Sequence, residues 1–168
     1  MVCVDGVALD NPHGKRCRMK WIILAGSADT RKTWTLTETV IALVKTCGAQ
    51  LVSPALLPIP HPPVNSKGLP YYNDGTYEMR YRGRLIVVKT DGDTPGIVDD
   101  GFKKAKALNA DIYISAAHAR SGSGHVATID SIISSNLAEV FVIGALDHDD
   151  NRKPAVVKWR VQQIIDML

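Results

Sequence analysis

The chain has 168 residues, of which 45% are apolar and 22% charged, with a net charge of +3. A chain of this length forms one domain with a sizeable core, and so balanced a charge gives no footprint for nucleic acid. No apolar run approaches the roughly 20 residues of a membrane-crossing helix, and Cys3, Cys17 and Cys47 have neither zinc-ligand nor disulfide spacing, so the expectation is no membrane partner and a reducing, cytoplasmic setting.

Residues 1–18 lack the long apolar stretch of a secretory signal and are expected to form a loosely ordered extension, with residues 19–168 as a single α/β nucleotide-binding domain. From Trp21 onward, strand-like and helix-like segments alternate. "WIILAG" is a short continuous apolar run, the form of a strand buried on both faces. "TWTLTETVIALVKTCG" sets Leu36, Val40, Leu43 and Val44 at helical spacing and stops at Gly48. "AQLVS" opens a second strand, which the prolines from Pro54 to Pro63 turn into a long loop. Two extended runs flank Arg82-Gly83 and predict a hairpin or tight bend, the second run, Leu85 to Val88, being the better buried.

Downstream, "DTPGIVDDGFKKAKALNA" predicts a helix capped by Asp93 or Thr94, with Ile97, Ala105 and Leu108 toward the core. "DIYISAAHA" reads as a strand. "HVATIDSIISSNLA" reads as a helix with Val126, Ile129, Ile133 and Leu137 on one face, "EVFVIGAL" as a strand, and "AVVKWRVQQIIDML" as a closing helix carrying Val157, Val161, Ile164 and Leu168. This alternation predicts a three-layer α/β fold, a mainly parallel sheet with helices on both faces and Val140 to Ile143 among its central strands.

The stretch "GSADTRKT", Gly26 to Thr33, lies between the first strand and the first helix. Phosphate loops of the form GxxxxGK[ST] wrap phosphate in backbone amides, neutralise it with lysine and offer a hydroxyl to magnesium. Gly26, Lys32 and Thr33 occupy the first-glycine, lysine and hydroxyl positions, and Arg31 replaces the second glycine. Over Trp21 to Val44 the chain resembles the P-loop NTPase superfamily, in the manner of small bacterial and phage P-loop proteins with a degenerate Walker A loop. A second apolar strand runs into "KTDGD", where that superfamily carries its magnesium-associated acid.

The resemblance implies binding of ATP or GTP with Mg²⁺ by Gly26, Ser27, Ala28, Asp29, Thr30, Arg31, Lys32, Thr33 and Trp34, and metal contacts from Thr33 and Asp91 or Asp93. NTP hydrolysis or phosphoryl transfer would then rest on Lys32, Asp91 and Arg120. At Arg31 a β-carbon hinders the torsion that glycine supplies, so three readings stand open: the arginine contacts phosphate, it obstructs the loop, or the stretch is a structural turn with no ligand. Asp91 and Asp93 are alternatively a solvated turn residue and a helix cap.

His118 and Arg120 end the "DIYISAAHA" strand, where ligands of open α/β sheets gather, and the following Ser121 to Gly124 offer backbone donors or make a simple turn. Trp21, Trp34 and Trp159 are expected to pack, Trp34 lying closest to a bound base or sugar. His61, His125 and His148 have no evident partner in the sequence and are read as surface-loop residues. Two other function classes remain. "AGSADTRKT" and the proline-bearing second strand also resemble the FMN-binding loop of flavodoxin-like reductases, and a degenerate nucleotide fold also serves as a non-catalytic regulatory module.

Overall fold

A computed structural model describes residues 18–27, 30–58, 72–118, 124–145 and 153–168. Strand β1 (Met19–Gly26) lies inside the sheet, and its Trp21, Ile22, Ile23 and Leu24 have no solvent exposure. Both of its edges are paired in parallel, to β5 (Ile112–His118) and to β6 (Ala138–Ala145). That explains the unbroken apolar run: a strand with protein on both faces needs no polar alternation.

The remaining strands are β2 (Gln50–Ser53), β3 (Thr76–Tyr81) and β4 (Arg84–Lys89), and the six-stranded sheet has the order β2-β3-β4-β5-β1-β6. β4, β5, β1 and β6 run parallel, while β2 and β3 extend one side antiparallel. The β3–β4 hairpin turns at Arg82 (φ 50°) and Gly83 (φ 75°), the pair of left-handed residues that matches strand twist in a two-residue turn.

Helices α1 (Lys32–Lys45) and α4 (Lys153–Asp166) cover one face, where Leu36, Val40, Leu43 and Ile164 pack on Ile22, Leu24, Ile86, Val88 and Ile114. Helices α2 (Pro95–Ala107) and α3 (Gly124–Ser134) cover the other, where Val98, Phe102, Ala105 and Ile132 pack on Trp21, Ile23, Val87 and Tyr113. The strict alternation along β1 thus feeds two cores. Each fully buried side chain of this size contributes roughly 1.5–3 kcal/mol. Among the described residues no helix is long and apolar enough to cross a membrane.

Several expectations shift. The core face of α2 is Val98, Phe102 and Ala105, one step on from Ile97, and Leu108 is 36% exposed. On α3 the inward residues are His125 and Ile132 with Ile129 against them, while Val126, Ile133 and the following Leu137 face outward. Both helices have apolar residues at two adjacent phases, and the sequence does not say which one the sheet selects. β6, expected to be central, is an edge strand with Val142 exposed, and Trp159, expected to pack, is 57% exposed. The N-terminal extension, apart from Arg18, lies outside the described residues.

The helix layers create one crevice. β5 leads to α3 on one face, whereas its neighbour β1 leads to α1 on the other. Between them lies a topological switch point, where connections leave in opposite directions and open a cleft at the carboxyl ends of the strands. The parallel register sets Gly26 beside His118 at that point.

Candidate functional site

Arg31, the residue immediately before α1, stands at φ 60°, ψ 35°. A β-branched or bulky residue avoids this left-handed region, and glycine enters it freely. Arg31 stands where the phosphate-loop pattern has its second glycine, and the backbone takes the glycine-like torsion in spite of the side chain. The next residue is helical, so two successive residues of opposite hand bring neighbouring N–H groups together, an arrangement that favours anions at a helix start. The Arg31 side chain makes no cap bond to α1, and the first turn of the helix holds no acidic residue.

Lys32 folds back into the loop it terminates. Its Nζ donates to Ser27 O at 2.7 Å, to Gly26 O at 3.2 Å and to Thr30 Oγ1 at 3.4 Å, and the residue is only 7% exposed. Thr30 is itself buried and donates its hydroxyl to Ser27 O. A β-carbon at Gly26 would lie 2.3 Å from Ala145 O, so glycine is required for the loop to pass β6. From below, Arg160 of α4 donates from Nη1 to Thr30 O at 3.1 Å; it is 2% exposed, and burial pulls its guanidinium below the ordinary arginine pKa. Nothing in the sequence pattern marked Arg160, which occupies a position on the inward stripe of α4 between Val157 and Ile164.

Thr33 Oγ1 lies 3.0 Å from Asp74 Oδ1 and 3.3 Å from Thr90 O, two acceptors for its one proton. Asp74 is a site residue that sequence reading missed, because it ends a long proline-rich loop without periodicity. The hairpin carried the signal: continuing the register beyond Thr76↔Lys89 sets Gly75 opposite Thr90 and Asp74 opposite Asp91. Gly75 and Thr90 do exchange backbone and hydroxyl bonds, Thr90 N to Gly75 O at 2.9 Å and Gly75 N to Thr90 Oγ1 at 2.8 Å.

The segment after β4 lies directly over β5, since a β-carbon at Gly92 would sit 2.1 Å from Ala116 O. Asp91 pairs with Lys89 at 2.9 Å, and Asp93 pairs with His118, Oδ1 to Nε2 at 3.0 Å. The helix cap is Thr94, whose hydroxyl accepts from Ile97 N, which leaves the Asp93 carboxylate to His118. His125, without an evident partner in the sequence, is buried: its Nε2 donates to Gly92 O at 3.1 Å, and its ring stands edge-on to His118 with centroids 5.6 Å apart.

The structure therefore assembles Gly26, Ser27, Thr30, Arg31, Lys32 and Thr33 with Asp74, Asp91, Asp93 and His118 around the β1/β5 crevice. Trp34 does not join them; it is 8% exposed and packs with Tyr72 and Val157. Ala28, Asp29, Arg120 and residues 121–123, like His61 and His148, lie outside the described residues. Among the described residues no group of three His, Cys, Asp or Glu side chains converges on one metal position, and Asp91 and Asp93 engage different partners. The set present, one hydroxyl with a carboxylate beside it, suits an ion such as Mg²⁺ that keeps several waters and takes its other ligands from phosphate.

Asp74 is held above the ordinary carboxylate range, chiefly by desolvation, with Asp91 and Asp93 adding repulsion while the Thr33 hydrogen bond and Lys89 oppose them. A raised folded pKa favours the neutral acid, so the contribution to stability is complete below the ordinary Asp value and is lost as pH rises through the folded value. Asp74→Asn, whose amide oxygen still accepts from Thr33, is therefore expected to raise the melting temperature at pH 7, with the gain shrinking toward pH 4. Thermal unfolding across that range checks it, and a lower melting temperature at pH 7 contradicts it.

No protein-family model matches the chain, and neither a curated protein nor a solved structure does.

Proposed function

We propose that the chain binds the phosphates of a nucleotide, ATP or GTP, in the loop from Gly26 to Thr33, as a P-loop protein whose second glycine has become arginine. The observation that carries this reading is the left-handed Arg31 followed by the enclosed Lys32 ammonium at the start of α1, beside the one switch point between described parallel strands. Phosphate oxygens are the natural replacement for the Gly26 and Ser27 carbonyls that Lys32 now engages, because a charge-assisted bond to an anion exceeds one to a neutral carbonyl. Magnesium would be held by Thr33 with Asp91 or Asp74, and would supply neutralisation of charge on the phosphates. Asp93 and His118 form a carboxylate–imidazole pair at the same crevice, suited to hold a proton taken from water or a hydroxyl; this supports hydrolysis or phosphoryl transfer as the reaction class.

The flavin alternative gains no support from the topology. A flavodoxin-like sheet sets its first strand between the second and third parallel strands, whereas β1 lies between the third and fourth, β5 and β6.

Lys32→Ala is expected to weaken ATP or GTP binding by about tenfold to hundredfold, the worth of a charged phosphate contact of roughly 1.5–3 kcal/mol. Because Lys32 is enclosed and bonded to the loop, the same change should also lower the melting temperature by a few degrees. Calorimetry beside thermal unfolding measures both, and unaltered nucleotide affinity would put the ligand elsewhere.

Arg31→Gly separates the two readings of the departure. The backbone already holds the glycine-like torsion, so the substitution relieves about 1–2 kcal/mol of conformational cost without rerouting the loop, and a change in affinity reports chiefly the loss of the guanidinium. The expected result is a more stable protein that binds nucleotide several-fold more weakly, having lost a cation at the start of α1. Tighter binding would mean that Arg31 obstructs the site.

A further inference from the structure

Arg160 occupies a place where packing alone calls for an apolar residue. On α4 it follows Val157 and precedes Ile164 along the inward stripe, both neighbours being nearly free of exposure, and it is 2% exposed itself. A leucine or methionine there would bury apolar surface at no electrostatic cost, whereas a buried guanidinium is unfavourable unless its donors are engaged. One of those donors, Nη1, reaches Thr30 O at 3.1 Å, across 130 positions of sequence.

The geometry of the peptide plane makes that contact informative. The bond from Thr30 to Arg31 is trans, so the Thr30 carbonyl and the Arg31 N–H point in opposite directions. A carbonyl anchored on the buried guanidinium directs the Arg31 N–H away from α4. That amide adjoins the left-handed residue and the first helical N–H groups, the donors available to an anion at this loop. With the anchor gone, the peptide is free to rotate and present its carbonyl, which repels phosphate.

We infer that Arg160 is a positioning residue of the phosphate site: from α4 it fixes the orientation of the Thr30–Arg31 peptide, so that the loop is shaped for an anion before the anion arrives. This inference rests on the phosphate-binding reading of the loop. It gives the C-terminal helix a part in recognition although α4 holds no residue of the loop itself.

The test is calorimetric titration of the full chain with MgATP and with inorganic triphosphate, for wild type, Arg160→Met and Arg160→Lys, each with its thermal unfolding curve. Arg160→Met keeps the apolar stem and is expected to bind both ligands about tenfold more weakly, as the fraction of molecules with the Arg31 N–H turned toward the anion falls. Arg160→Lys, which still donates to Thr30 O, is expected to recover most of that loss even where its melting temperature matches that of the methionine variant. A merely structural arginine would not give this rescue. Should Arg160→Met fail to fold, Arg160→Leu, which likewise has no donor, takes its place under the same criteria. A folded Arg160→Met that binds like wild type, or a lysine variant no better than methionine, overturns the inference alone. A wild-type protein that binds neither ligand overturns the phosphate-binding reading and the inference with it.

Discussion

The left-handed torsion at Arg31 is the constraint on which the site depends, because it stands immediately before α1 and decides where the first amides of the helix point. For a residue with a side chain this conformation costs about 1–2 kcal/mol. The surrounding contacts are those that over-determine such a torsion: Thr35 N bonded to Arg31 O as the helix begins, Lys32 gripping Gly26 and Ser27, and Arg160 holding Thr30. Strain held in place by so many partners is commonly associated with binding sites.

The fold supplies the location. Since α1 and α3 leave adjacent strands toward opposite faces, the carboxyl ends of β1 and β5 open a crevice, and three separate devices direct side chains into it. The parallel register brings His118 to Gly26, the absence of a side chain at Gly92 lets the β4 segment lie on β5 and deliver Asp93, and the β3–β4 hairpin delivers Asp74 to Thr33. Acidic side chains gather on the Thr33 side, and the cations Arg31, Lys32 and Arg160 on the loop side.

Much of this architecture was legible in the sequence, for a physical reason that also marks the limit. Buried parallel strands are continuous apolar runs, so β1, β4 and β5 stand out, β6 carries a similar run although it is half exposed, and the hairpin is announced by Arg82-Gly83. Order across the sheet is set by which strands pair, and no local pattern reveals that β6 takes an edge. Helix phase failed at α2 and α3 because adjacent faces are both apolar. In the site, Gly26, Lys32 and Thr33 were visible through spacing, whereas Asp74 and Arg160 were hidden: the first ends a proline-rich loop, and the second is a charged residue on a stripe that otherwise reads as core. His125 escaped notice because its partner is a backbone carbonyl, which a sequence does not display. Arg31 was visible as a departure from pattern, and the torsion it adopts was not.

The proposal that the loop binds an anion is tested most directly by following backbone amide signals of isotopically labelled protein while MgATP is added. The predicted result is saturable shifts concentrated at Ser27, Arg31, Lys32 and Thr33, with weaker ones at Asp91, Gly92 and His118 across the crevice. Shifts confined to another surface, or none at millimolar nucleotide, would contradict the assignment of this loop as the phosphate site.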